Sequence, residues 1–432
     1  MAAATVRTAV IVGGNRIPFA KVGGPYAPAS NQDMLTAALD GLVARFGLAG
    51  QQLGEVAGGA VLKHTRDFNL TREAVLGSAL SPHTPAVDLQ QACGTGLEAV
   101  IYVANKIALG QITTGVAGGV DSASDAPIVV TEGLRRALLR ANRAKRPLDR
   151  VKALASIRPR DLAPVPPAVV EARTGLSMGE SQAITTRKWG ITREAQDELA
   201  AASHTNLARA WSEGFFDDLV TPYLGVTRDT PLRPDTTAEK LAALRTVFGR
   251  GDDATMTAGN STPLTDGAAL VLLAEEGEAR ARNWPVLARL VDAEVGASDY
   301  VTGAEDLLLA PTHALPRLLA RQGLTLADFD LVEVHEAFAS TVLANLAAWE
   351  QAGLGVVDRT RLNVNGSSLA AGHPFAATGG RIVATLAKLL HDRGPGSKGL
   401  ISICAAGGQC VTAILEDRKS TRLNSSHRMP SR

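Results

Sequence analysis

Cysteine is scarce in this chain of 432 residues, with three in all, at positions 93, 404 and 410. Three thiols cannot knit a disulfide framework, and none has the short C-x₂₋₄-C spacing of a structural zinc site. Neither a stapled secreted fold nor a zinc-organised one is expected, and no metal is assigned. Aromatic residues are few as well, 4% against 45% hydrophobic residues in all, so the core must be largely aliphatic. No apolar run reaches the ~18–20 residues of a membrane span, and the opening MAAATVRTAVIVGG lacks the basic-then-apolar order of a secretion signal. A cytoplasmic location is expected. No G-x-S-x-G elbow is present, which sets aside a serine hydrolase.

An excess of one charge is missing too, with 44 Lys/Arg against 43 Asp/Glu. The last stretch, 417–432, DRKSTRLNSSHRMPSR, is polar, unpatterned and basic, and resembles the translation of a common sequencing-adapter oligonucleotide. It reads as non-native. Without its five Lys/Arg and one Asp the body carries a net charge near −3, which offers nothing to a nucleic acid.

What the chain does have is a lone cysteine between a strand and a helix. In Gln90 to Gly110, QQACGTGLEAVIYVANKIALG, apolar residues at 97, 100, 101, 104 and 107 mark one helical face, and Ala86 to Leu89 reads as a short strand before it. Cys93 then falls at a helix N-terminus, where free N–H groups and the helix dipole favour an anion. Such a site is expected to lower a thiol by one to several units from about 8.5 and make it a nucleophile. The bland reading of this stretch alone is a buried small hydrophobe.

Around it the chain alternates strand and helix. Strands are expected at Thr8 to Val12, ended by Gly13-Gly14, at Glu55 to Leu62 and at Thr113 to Val120. Helices are expected at Asn31 to Phe46, capped by Ser30 or Asn31, and at Arg72 to Leu80. The rhythm predicts a mostly parallel α/β sheet. It stops at Thr131 to Arg160, which holds ten Lys/Arg against two acids. That segment reads as an inserted, partly helical region, either a solvated face, a cradle for a polyanion, or an amphipathic surface through Leu134, Leu138, Val151 and Leu154. Pro164 to Pro167 reads as a linker, followed by helices at Gly179 to Trp189 and Thr192 to Ser212. After Ala254 to Leu273 the pattern resumes with strands at Pro285 to Val295, Phe329 to Val334 and Gly399 to Cys404, and with helices at Thr312 to Arg321 and from Gly372-His373-Pro374 through Leu390. The units Cys93-helix-strand-Gly118-Gly119 and His373-helix-strand-Gly407-Gly408 look like one half used twice. Cys93, His335, His373 and Cys404 all sit in Gly- or Ala-rich turns at strand ends or helix starts, where an α/β sheet gathers its ligands.

These residues resemble the thiolases over about positions 5 to 416. The resemblance rests on Q-A-C-G-T-G around Cys93, G-G-V-D-S at 118–122, S-M-G at 177–179, T-A-G-N-S-T-P-L-T-D-G at 257–267, H-E-A-F at 335–338, G-H-P at 372–374 and C-A-A-G-G at 404–408. H-E-A-F, where many thiolases have N-E-A-F, together with C-A-A-G-G and the long basic insertion, looks most like the β-subunit of the fatty-acid-oxidation trifunctional complex. The resemblance implies a thiolase fold, an α/β architecture of two duplicated α/β halves in a layered αβαβα arrangement. Its domains would be 1–123 plus 246–283, an inserted loop domain at 124–245, and 284–416. It implies 3-ketoacyl-CoA thiolysis to acetyl-CoA and a shortened acyl-CoA. The alternatives are a biosynthetic or ketosynthase-type condensing enzyme and a non-catalytic acyl-CoA-binding subunit.

Carried over residue by residue, the resemblance makes Cys93 the acylated nucleophile, His373 its base and Cys404 a second acid/base. His373 with His335, the latter directly or through a water, would hold the enolate oxygen. The backbone N–H groups of Cys93 and Ala406 would hold the oxyanion of the acyl-enzyme step. Met178, Ser261 and Thr262 would border the CoA arm. CoA would be a co-substrate with no resident cofactor, and the partners would be acyl-CoA and CoA, a second copy in a dimer or tetramer, a fatty-acid-oxidation α-subunit, and a peripheral membrane contact. Cys410 departs from the family, which usually has glycine there.

Overall fold

The computed structural model describes residues 6–417. Nine strands carry the framework: β1 Ala9–Arg16, β2 Glu55–Gly58, β3 Ala86–Asp88, β4 Thr114–Asp121, β5 Thr265–Glu275, β6 Ala288–Ala297, β7 Leu331–Val334, β8 Lys398–Ala405 and β9 Gln409–Glu416. They are hydrogen-bonded in the order β7-β8-β9-β6-β1-β5-β4-β2-β3, with the two-residue strand Ala20–Lys21 on β5. The seam between the halves is thin, because β1 and β6 share only the pairs Val10–Arg289 and Ile11–Ala288.

The sheet is mixed, which corrects the mostly parallel expectation. Only β2–β3, β2–β4 and β7–β8 run parallel, whereas β1–β5, β5–β4, β6–β9 and β8–β9 are antiparallel. Strand–helix alternation reports the crossovers, but the pairing direction of β1 and β5 depends on long returns that no local period encodes, and β9 turns back on β8 through a short hairpin at 406–408. Gly13-Gly14 does not end β1 either. A Cβ at Gly13 would lie 2.5 Å from the Phe46 ring and one at Gly14 2.5 Å from Ala384, so these glycines let helices close on both faces of a continuing strand.

Among the described residues ten helices have eight residues or more: α1 Asn31–Phe46, α2 Leu70–Gly77, α3 Thr95–Ala108, α4 Glu132–Arg143, α5 Pro147–Ala155, α6 Met178–Lys188, α7 Arg193–Ser212, α8 Pro311–Gln322, α9 Ala339–Gln351 and α10 Ala377–Arg393. The pleat sorts them into layers. Leu35, Leu39 and Val75 of α1 and α2 meet Val12, Val116 and Leu270 on one outer face. On the other, Leu315 and Val342 of α8 and α9 meet Val332, Leu400 and Ile414. Between the halves, α3 and α10 share a core with Ala117 and Val271 from one half and Ile401 and Val411 from the other. This is the αβαβα arrangement.

The central pair crosses at glycines. A Cβ on Gly96 would meet the Ala376 carbonyl at 2.5 Å, and one on Gly379 would meet the Leu97 amide at 2.1 Å, so the first turns of α3 and α10 touch backbone to backbone. That contact brings Cys93, just before α3, beside His373, just before α10. The second helix begins later than the sequence suggests: Gly372, with φ 98°, and Pro374 keep His373 in a loop, and α10 starts at Ala377.

Between β4 and β5, hairpin α4–α5 is closed by a ribbon in which Val129–Val130 pairs with Pro164–Val165, so the first two residues of the expected linker form a strand. α6 and α7 follow, capped by Ser177 and Thr192. Asp417, read as part of the foreign tail, is buried, and its backbone bonds Gly396 and Ser397. The rest of that tail lies outside the described residues.

Candidate active site

Cys93 sits in a tight turn held by one side chain. Thr95 Oγ1 accepts from the Gln91 amide at 2.8 Å and donates to the Ala92 carbonyl at 2.7 Å. This clamp holds Ala92 at φ 46°, a left-handed conformation that costs a non-glycine residue about 1–2 kcal/mol. Strain of that kind beside a reactive side chain aims it: Cys93 Sγ lies 3.1 Å from His373 Nε2.

Two threonines and an aspartate seat His373. Its backbone N–H donates to Thr265 Oγ1 at 2.7 Å, its Nδ1 lies 2.6 Å from Thr378 Oγ1, and Phe375 stands edge-on to the ring. Buried Asp121, at the end of β4, accepts from the Ala376 amide at 2.8 Å and from Val61 and Leu62 on its other side. A sheet end is thereby fastened to the loop that carries the histidine.

His335 follows β7, where its N–H donates to the Ser402 carbonyl at 2.9 Å. The Glu336 carboxylate holds this loop from behind, accepting from Ser203 at 2.7 Å, Asn363 at 2.8 Å and the Leu369 amide at 3.1 Å. The two imidazoles are 4.1 Å apart between ring centroids. The ligand atoms of Cys93, His335 and His373 all lie within 4.8 Å of one another. A trio this close also suits zinc, but uptake there would consume the nucleophile and its base together.

Burial sets the protonation. Desolvation pushes the Cys93 thiol up to about 12, against the pull of hydrogen bonds from the Ala406 and Cys93 N–H groups, with the Asp121 charge adding to the rise. His373 is pushed down to about 3 by burial and by Arg381, and His335 falls well below its usual range from burial, His373 and Arg381. The expected lowering of the thiol is therefore corrected. Cys93 precedes the helix by two residues, and loss of water outweighs the N–H groups aimed at it. At neutral pH the pair is thiol plus imidazole, and the thiolate arises by transfer of the proton over 3.1 Å.

Cys404 lies near the end of β8, 3% exposed, among Met256, Leu307, Leu308 and Phe338, with Met178 and Tyr300 packed alongside. Burial first, then the neighbouring Cys93 and Cys410, raise its thiol well above the ordinary value. Cys410 is its cross-strand partner in β9, fully buried against Ala310 and Ala314. The turn after Cys404 aims the Ala406 N–H at Cys93. Glu171 staples that turn, accepting from the Gly407 amide at 2.8 Å and from Tyr300 at 2.9 Å.

Of the residues singled out from sequence, Cys93, His335 and His373 meet directly, with Ala406 and Cys404 beside Cys93. Met178 joins the wall around Cys404. Ser261 and Thr262 turn toward the His335 loop. Ser261 bridges Phe338 in antiparallel fashion, and Thr262 bonds the Ala337 and Glu336 carbonyls through its N–H and hydroxyl. Sequence reasoning missed Thr95, Asp121, Glu171, Thr265, Ser368, Thr378 and Arg381. For Arg381 a signal existed, a lone cation in the otherwise uncharged first turns of ATGGRIVATLAKLL.

Comparison with known proteins agrees with this geometry. The family model for the thiolase N-terminal domain matches residues 9–277 and that for the C-terminal domain matches 284–417. Proteins named 3-ketoacyl-CoA thiolase from Yersinia pestis (strain Pestoides F) and Yersinia pseudotuberculosis serotype O:1b are each 41% identical over 424 residues, covering 94% of this chain and 96% of theirs. Among solved structures, Bacillus anthracis acetyl-CoA acetyltransferase superposes with a TM-score of 0.81 at 29% identity, covering 96% of this chain and 100% of its own. Human mitochondrial 3-ketoacyl-CoA thiolase in complex with CoA gives 0.80 at 27%, covering 96% and 98%. With both domain models matched in order across the fold that presents Cys93 to His373, the chain belongs to the thiolase family of acyltransferases.

Proposed function

We propose that the chain cleaves 3-ketoacyl-CoA with CoA, giving acetyl-CoA and an acyl-CoA two carbons shorter. The observation that carries this reading is the Cys93 Sγ to His373 Nε2 contact at 3.1 Å, with the Ala406 N–H aimed at the same sulfur. His373 takes the thiol proton as Sγ attacks the keto carbon. The developing oxyanion lies against the N–H groups of Cys93 and Ala406. Each well-placed donor of this kind is worth roughly 10²–10³ in rate.

The tetrahedral adduct then breaks between the α- and β-carbons. The acyl group stays on Cys93 and the electron pair becomes the enolate of acetyl-CoA, whose thioester oxygen is held by His335 and by the now protonated His373. Cys404, kept as a thiol by burial, gives its proton to the enolate carbon. In the second half Cys404 takes the proton of the incoming CoA thiol, whose thiolate attacks the acyl group and expels Cys93, and the Cys93 thiolate takes back its proton from His373. The condensing direction uses the same residues in reverse.

Met178, with Ser261 and Thr262 behind the His335 loop, borders the arm of CoA, which enters as co-substrate and not as a resident group. The protein works in the cytoplasm as a dimer or tetramer. Hairpin α4–α5 exposes Leu148, Val151 and Leu154 beside its arginines, which supports a docking face for an anionic membrane or a fatty-acid-oxidation α-subunit. No helix among the described residues is long and apolar enough to cross a membrane. Steady-state rates with 3-ketoacyl-CoA from C4 to C16, in both directions, test the function. Absence of thiolysis at every chain length would overturn it.

A further inference from the structure

We infer that Ser368 and Arg381 are positioning residues that lock His335 in the tautomer with its proton on Nε2, so that an N–H and not a lone pair faces the thioester oxygen. The inference rests on His335 acting as a donor to the enolate.

Ser368 Oγ lies 2.9 Å from His335 Nδ1 and 3.1 Å from Arg381 Nη2. A guanidinium only donates, so it must fill a lone pair of the hydroxyl, and the same Nη2 also donates to Ser367 at 3.1 Å. The hydroxyl keeps one proton to place. Among the described residues its one remaining partner within hydrogen-bond distance is His335 Nδ1, so the O–H donates there and Nδ1 is the accepting nitrogen. The ring proton then sits on Nε2. That atom is buried without a partner among the described residues, on a ring one of whose nitrogens lies within 4.8 Å of Cys93 Sγ and of a His373 nitrogen. With the opposite tautomer, Ser368 Oγ would receive two donors, its own proton would have no acceptor, and a lone pair would point at the incoming oxygen.

His373 shows the complementary case. Its Nε2 faces the Cys93 thiol and must accept, so its proton lies on Nδ1 toward Thr378 Oγ1 at 2.6 Å. Two imidazoles 4.1 Å apart are thus set in opposite tautomers, one a base and the other a donor. For His373 the thiol makes the choice and Thr378 Oγ1 receives the ring proton, whereas for His335 the choice is made by a hydroxyl on the side away from the substrate, itself oriented by the buried Arg381.

The test is ¹⁵N magic-angle-spinning NMR of the full-length protein labelled at histidine, with kinetics of Ser368→Ala, Ser368→Thr and Arg381→Met. The parent should show His335 protonated at Nε2. Ser368→Ala should mix the tautomers and lower kcat about 10²-fold, with KM changed less than about threefold. Ser368→Thr, which keeps the hydroxyl, should retain the parent tautomer and kcat within about fivefold. A parent spectrum with the proton on Nδ1, or Ser368→Ala with the parent tautomer and kcat, overturns the lock. His335→Ala separates the two ideas. Full activity there removes the enolate role while the parent spectrum still judges the lock, and the spectrum needs no variant to fold.

Discussion

Gly379→Ala probes the link between helix packing and chemistry. The added methyl would lie 2.1 Å from the Leu97 amide nitrogen, 2.6 Å from the Gly96 carbonyl carbon and 3.0 Å from its Cα, all backbone atoms that cannot rotate away. Reaching ordinary contact at 3.4 Å requires the first turns of α3 and α10 to part by more than an ångström. Overpacking of this kind costs about 1–3 kcal/mol, and the better helix propensity of alanine offsets about 1 kcal/mol of it. The loss of stability should therefore be modest. Activity should fall further, because the displaced turns carry Cys93 and His373, and an ångström of misplacement costs roughly 10²-fold in rate. The assay pairs urea unfolding with steady-state thiolysis. Gly77→Ala is the control, because its methyl would meet Thr36 at an ordinary 3.5 Å. If Gly379→Ala kept kcat within about twofold of the parent, the idea that this crossing sets the catalytic distance would be refuted.

Replacing Cys93 by serine should leave the fold intact and reduce thiolysis by roughly a thousandfold or more, with no acyl adduct by intact-protein mass spectrometry. Cys404→Ala should lower turnover about 10²–10⁴-fold in both directions, yet leave Cys93 open to alkylation by iodoacetamide, and an equal loss of both would contradict separate roles. The pH dependence of that alkylation has a definite sign. With the thiol raised to about 12 and His373 lowered to about 3, the thiolate fraction should climb about tenfold per pH unit from 7 to 10. A plateau below pH 7 would instead reveal a preformed thiolate–imidazolium pair.

Legibility from sequence followed the range of the interaction that fixes each feature. α1 was readable to its ends because its signals are local: the Ser30–Asp33 capping box and the left-handed Gly47 just past Phe46. The Cys93 and His373 turns were readable because a reactive residue among glycines has few structural uses. Their partners were not. Ser368 and Thr378 are ordinary hydroxyl residues until the fold brings them behind a ring, and Glu171 lies 236 positions from the Gly407 amide it holds. The direction of the β1–β5 pairing and the continuation of β1 through Gly13-Gly14 depend on what packs against them. The sign of the Cys93 shift was lost for the same reason, since the helix terminus is visible in sequence and the loss of water is not.

The central claim is that Cys93 carries the acyl group between the two halves of the reaction. Rapid quench of the protein with 3-ketoacyl-CoA and no free CoA tests it most directly. The account predicts a burst of one acetyl-CoA per active site, with an acyl adduct of matching mass that peptide mapping places on Cys93. Acetyl-CoA released without an adduct, or an adduct on another residue, would contradict it.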